Sequence, residues 1–281
     1  MPSKSEVFKL KQTRGALLGL AKQVGLVNGL RAGLNTAYRS IVKGQNPGQA
    51  FFSSYWDVLG SREAIVCDGK RISFAEFKDR SFRLANAFTT LGIQQSDRVA
   101  ELLPNGPEWF EVMFATALTG RSMPMLNWHL KPHEMAACVN KSNAIALVLD
   151  SSYVEAVQSV KDQLTSVQYF IVVGGDVPEG MLSYEQLIAD SDAFDPAGNF
   201  GMSATPYSGG TTGTPKLLNM DEMADILGDS DEKRRGASKD EVSALALMQL
   251  GAFHWYELGE CKDPITHNVR TMIPGPLYHA G

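Results

Sequence analysis

The residues best suited to chemistry stand together in Tyr207-Ser-Gly-Gly-Thr-Thr-Gly-Thr-Pro-Lys216. Gly209, Gly210 and Gly213 let the backbone turn tightly, so that several N–H groups can converge on one anion. Ser208, Thr211, Thr212 and Thr214 add hydroxyl donors, Lys216 adds a point charge, and Pro215 restricts the chain just before it. That combination suits a polyphosphate. It is not the common GxxxxGK[ST] loop, because Pro215 and Leu217 flank the lysine. Other chemistries find less support. His133-Glu134 fails the HExxH pattern at Ala137, and the sequence has no Gly-x-Ser-x-Gly elbow. His129, His254 and His267 are isolated and read as structural, so no metal ligand is assigned within the chain.

Such a loop needs a scaffold, and the sequence supplies alternating strand-like and helix-like pieces from about residue 60. Ala64–Asp68 reads as a strand followed by an Asp68-Gly69-Lys70 turn. Ser73 stands three residues before Glu76, the spacing of a helix capping box, and Phe74, Phe77, Leu84, Ala85, Phe88 and Leu91 follow at helical intervals up to Gly92. Strands are expected at Val99–Leu103, Met123–Leu126, Ala144–Leu149 and Tyr169–Val173, with helices at Glu108–Leu118, 132–140 and 153–164. The unbroken apolar run Ala144–Leu149 suits a strand covered on both faces. Repeated βα units predict an α/β fold of layered, largely parallel sheets with flanking helices. A Gly/Pro/Ser/Asp-rich stretch at Asp192–Pro206 marks a junction ahead of the loop.

In this frame the chain resembles the adenylate-forming (AMP-binding) superfamily, which includes acyl- and aryl-acid–CoA ligases, firefly luciferase and peptide-synthetase adenylation domains. The family's phosphate loop runs Tyr-Thr-Ser-Gly-Thr-Thr-Gly-x-Pro-Lys; here Ser208 replaces the threonine and Gly209 the serine. Asp68-Gly-Lys-Arg-Ile-Ser-Phe74, Asp97-Arg-Val99 with Asn105, Gly120 through Pro124 to Asn127, and Pro276-Leu-Tyr-His-Ala280 resemble further family motifs in the same order. The resemblance spans about residues 50–281. It implies ATP, Mg2+ and coenzyme A as cofactors of the complete enzyme: a carboxylic acid is adenylated, and a thiol then displaces AMP. It also implies that Ser208, Gly209, Gly210, Thr211, Thr212, Gly213 and Lys216 cradle the β- and γ-phosphates, with Thr211 or Thr212 near the metal. His279 would lie beside the acyl pocket.

The family's Tyr-Gly-x-Thr-Glu segment, ribose-binding aspartate, hinge and C-terminal lid domain with its catalytic lysine do not occur before Gly281. The expectation is therefore an N-terminal portion of an acyl-CoA synthetase whose active site is incomplete and inactive alone. Two alternatives stay open: a half-protein that works with a separate C-terminal chain, and a non-catalytic remnant or binding module. After the loop the sequence departs from the family, with Leu217-Leu218 for Gly-Val and an insertion at Asp221–Glu241 carrying eight acids and four bases, read as a solvated surface segment.

The net charge of −5 hides an asymmetry. Residues 1–44 hold eight basic side chains against Glu6, or +7, which leaves −12 for residues 45–281. The division expected is a basic Gly/Leu-rich arm over 1–44 and a partial adenylation domain over 45–281. An acidic body argues against a nucleic-acid partner. No run of about 18 apolar residues occurs, so no membrane-spanning helix is expected. Leu17, Leu18, Leu20, Val24, Leu26, Val27, Leu30 and Leu34 give the arm an apolar stripe with two readings: a helix packed on its own domain, or a peripheral membrane contact. The second leans toward a lipophilic carboxylic acid as substrate and fatty acid metabolism as setting. Cys67, Cys138 and Cys261 are far apart and read as small buried hydrophobes, consistent with a cytoplasmic protein.

Overall fold

The structure is a computed structural model and describes residues 25–196, 198, 200, 201, 204–207, 217 and 277. Two compact units divide the chain near Arg62. In the first, helix α1 (Leu26–Ala37) runs into a π-helical turn (Tyr38–Val42), and helix α2 (Pro47–Leu59) packs against α1. Asn46 caps α2 by accepting from the Gly48 N–H at 2.9 Å, Pro47 supplies the preset φ of a first helical residue, and Gly60 ends the helix at φ 47°. Arg39 pairs with Asp57 at 3.3 Å, tying the π-helical turn to α2. Gly29 and Ala32 are buried, whereas Val27, Leu30 and Leu34 are exposed.

The second unit opens with an antiparallel hairpin, β1 (Glu63–Cys67) and β2 (Lys70–Ser73), joined at Asp68 and Gly69, both with positive φ. The capping spacing works as expected. Ser73 Oγ accepts from the Glu76 N–H at 3.1 Å and starts helix α3 (Phe74–Thr90). Next come β3 (Val99–Leu102), α4 (Pro107–Thr119), β4 (Met123–Pro124), α5 (Pro132–Ser142) and β5 (Ala146–Asp150). After β5 the chain forms α6 (Val154–Gln158), β6 (Tyr169–Val173), β7 (Leu182–Ser183), α7 (Tyr184–Ala189) and β8 (Ala204–Thr205).

Strands β3, β5, β6 and β7 form one wholly parallel sheet in that order. Parallel bridges Arg98–Ser122 and Glu101–Met125 link β3 to β4, which pairs in parallel with β8. The alternation of the strands sorts the core into two layers. Val99, Val148 and Ile171 join Leu84 and Phe88 of α3, Val112 of α4 and Ile188 of α7 on one face. Ala100, Leu102, Leu147, Leu149 and Val172 join Met135 and Val139 of α5 and Val157 of α6 on the other. The sheet is thus covered twice, as the Ala144–Leu149 run predicts.

Two expectations change. The helix over 153–164 is instead α6 between 3-10 turns at Ser151–Tyr153 and Lys161–Gln163. Ser159 donates to the Ala156 carbonyl at 2.7 Å, a local bond that competes with continuation of the helix ladder. The cysteines also differ: Cys138 is buried but Cys67 is only half-buried, and Cys261 lies outside the described residues.

Candidate functional site

All the residues assigned to the phosphates, Ser208, Gly209, Gly210, Thr211, Thr212, Gly213 and Lys216, lie outside the described residues, as does His279. What the structure places is their frame. Strand β8 delivers the chain to Tyr207, which pairs with Leu217 in an antiparallel bridge, so the two ends of the 208–216 segment stand side by side. The Tyr207 hydroxyl donates to the Cys138 carbonyl at 2.8 Å, fixing the entrance to the end of α5. Burial pushes the phenol's pKa up, so it stays a neutral donor at physiological pH. The Thr205 carbonyl, two residues earlier, accepts from the Met125 N–H at 3.0 Å and holds β8 beside β4.

The second motif after the loop is anchored as well. The Leu277 N–H donates to Asn105 Oδ1 at 2.8 Å. Asn105 stands in the turn between β3 and α4, and Pro107 at the first helical position ends that turn. Beneath it, Glu101 Oε2 accepts from the Leu103 N–H at 3.0 Å. Glu101 is fully buried, and burial pushes its carboxyl up to about 8. Its Oε1 and the Trp109 indole N–H both lack a partner of normal geometry, although the nearby indole offsets part of the burial effect. Protonated Glu101 is therefore the form the fold holds at neutral pH.

The turn also borders a cleft of about 280 Å³ at the carboxyl ends of β3, β5 and β6. Asn105, Gly106, Asp150 and Gly174 line it, with Lys70 reaching Glu108 at 3.3 Å on its rim. Ligands of open parallel sheets bind outside these strand ends. Cys67 also faces the cleft, but burial and then the charges of Asp68 and Glu108 push its thiol up, so it is no ready nucleophile. Among the described residues no group of three or more His, Cys, Asp or Glu could hold a metal ion. The described residues thus offer positioning and hydrogen bonding. Asn105 and Leu277 belong to separate sequence motifs, whose spacing gives no sign of their contact. The buried Glu101 carboxyl went unsignalled.

Known proteins share this frame. The sequence matches the AMP-binding enzyme family over residues 54–259. The chain belongs to that family. As an AMP-binding enzyme it is 25% identical over 231 residues to the 3-methylmercaptopropionyl-CoA ligase of Ruegeria lacuscaerulensis, covering 77% of this chain and 42% of that protein. It is 33% identical over 160 residues to the long-chain-fatty-acid–CoA ligase of Thermus thermophilus, covering 56% and 29%. The match thus covers less than half the length of either ligase. Among solved structures, the anthranilate CoA ligase AuaEII with anthranoyl-AMP superposes with a TM-score of 0.57 at 21% identity, covering 61% of this chain and 34% of that one. The inhibitor-bound N-terminal domain of FACL13 from Mycobacterium tuberculosis gives 0.54 at 23% identity, covering 62% and 44%. These likenesses show the fold, that of the N-terminal domain of acyl-CoA synthetases.

Proposed function

We propose that the chain supplies the phosphate-gripping part of an ATP-dependent acid–CoA ligase. In the reaction, a carboxylate oxygen attacks the α-phosphorus of ATP, pyrophosphate leaves, and an acyl-adenylate forms. The thiol of coenzyme A then attacks the acyl carbon and AMP leaves with the bonding pair. Protein and Mg2+ chiefly position the groups and stabilise their charge. Ser208 to Gly213 and Lys216 are assigned to the β- and γ-phosphates, Thr211 or Thr212 to the neighbourhood of the metal, and His279 to the acyl pocket. The observation that carries this reading is the loop sequence set between the paired ends Tyr207 and Leu217, in a chain of the AMP-binding enzyme family. The Asn105–Leu277 bond adds support, because it ties the second family motif to the same sheet.

The substrate is a carboxylic acid, for which the apolar arm favours a lipophilic one and a setting in fatty acid metabolism. The adenylation domain is assigned from residue 45 onward, with 1–44 as an arm. Among the described residues no helix is long and apolar enough to cross a membrane. The 281 residues alone are assigned no adenylation activity, because the motifs they carry grip only the phosphate end of ATP. Carboxylate-dependent ATP–pyrophosphate exchange tests both halves of the proposal. The purified chain gives no exchange, while a family-length ligase carrying these residues does, and Lys216→Ala there lowers the rate on the order of 10²–10³-fold. Exchange by the 281 residues, or full activity in the Lys216→Ala ligase, overturns it.

A further inference from the structure

Helix α1 and its π-helical continuation present their faces in an unusual order. Gly29 and Ala32, nearly opposite the large apolar residues at about 100° per residue, are buried. Thr36 on the same face turns its hydroxyl back to the Ala32 carbonyl at 2.8 Å. The large apolar residues Val27, Leu30, Leu34, Tyr38, Ile41 and Val42 all point outward, with exposures between 53% and 82%. Small residues inward and large apolar residues outward is the reverse of a helix whose apolar stripe fills a core. A continuous exposed apolar stripe of this kind marks a docking surface.

The charges bordering the stripe select its partner. Arg31 is exposed beside Leu34, and the exposed Lys43 places its ammonium 5.8 Å from the centre of the Tyr38 ring. Arg39 is occupied with Asp57 and belongs to the internal packing of this unit. The sequence has no acidic residue between Glu6 and Asp57. A second copy seated on the stripe would therefore bring like charges together, whereas an anionic lipid surface accepts both the cations and the apolar side chains. Tyrosine beside lysine suits the headgroup boundary, where an apolar ring with a polar tip is best solvated.

We propose that this face, from Val27 to Lys43, docks the protein in the plane of an anionic membrane surface. The proposal goes beyond the ligase reading and does not depend on it, since ATP plays no part in its test. The test is flotation of the 281-residue chain with phosphatidylcholine vesicles, with and without phosphatidylglycerol. Binding is expected to the vesicles containing phosphatidylglycerol, and to fall as salt is raised from about 0.1 M to about 1 M. Leu34→Glu with Ile41→Glu should lower the affinity about tenfold or more, and Arg31→Glu with Lys43→Glu should lower it on anionic vesicles. Leu30→Ser with Leu34→Ser repeats the test without added charge, and the exposure of all these side chains leaves the thermal melt unchanged. Three outcomes overturn the proposal: no vesicle binding, binding that none of these variants weakens, or a lipid-free dimer dissociated by Leu34→Glu with Ile41→Glu.

Discussion

At the scale of single residues, Glu101 makes a sharp demand on the fold. A carboxyl whose folded value is about 8 keeps its proton in the folded chain while the unfolded chain gives it up near its ordinary value of 4.5. The folded state then binds more protons across that window, so stability falls as pH rises from about 4.5 to about 8 and levels off beyond it. Glu101→Gln removes this titration while leaving a carbonyl to accept from Leu103. Denaturant titrations at pH 5 and pH 8 should show the variant gaining on the parent by roughly 3 kcal/mol between the two. A gap that does not change with pH would assign the carboxyl a charged state instead. Asn105 is the companion case. Asn105→Ala removes the acceptor of the Leu277 N–H, with an expected stability loss of about 1 kcal/mol in the same titration. It should also raise amide exchange at Leu277 relative to the sheet.

At the scale of elements, three helices are pinned by one guanidinium. Arg80 of α3 donates through Nε to Glu111 of α4 at 2.7 Å, and through both terminal nitrogens to Glu185 of α7 at 2.9 and 2.7 Å. Burial opposes the guanidinium's charge, and the bonds to Glu185 and Glu111 more than offset it. Glu111 is buried and also accepts from the Tyr184 hydroxyl at 2.7 Å. Arg80→Ala leaves a carboxylate without its cation, so a loss of about 3–5 kcal/mol is expected on chemical unfolding. A loss below about 1 kcal/mol would mean that Tyr184 alone satisfies Glu111.

Much of this scaffold is legible in the sequence. The Ser73–Glu76 spacing announces α3, and Ser73 does cap it, while the apolar run at Ala144–Leu149 announces a doubly covered strand. The hairpin strand Lys70–Ser73 escapes notice because its exposed, charged residues carry no clear alternation. Helix α7 escapes because it is a single short piece after a two-residue strand. Its signal was nonetheless present: Ser183 stands three residues before Gln186 and accepts from its N–H at 3.3 Å. The sequence carries the candidate site as motifs and not as geometry. The contact between Asn105 and Leu277 spans 172 positions, and pairings that distant are set by the tertiary fold.

At the scale of the whole molecule, two properties separate along the chain. Residues 45–281, at −12, hold the sheet and the paired ends of the 208–216 segment, while residues 1–44, at +7, include the outward apolar face. The proposed function requires Lys216 and its neighbours to grip phosphates. The measurement that tests it most directly is a calorimetric titration of MgATP into the 281-residue chain, beside the Lys216→Ala variant and with inorganic triphosphate as competitor. The expected result is binding that triphosphate displaces and that Lys216→Ala weakens about tenfold, the scale of one charge-assisted contact. Binding left unchanged by Lys216→Ala, or no binding at all, would contradict it.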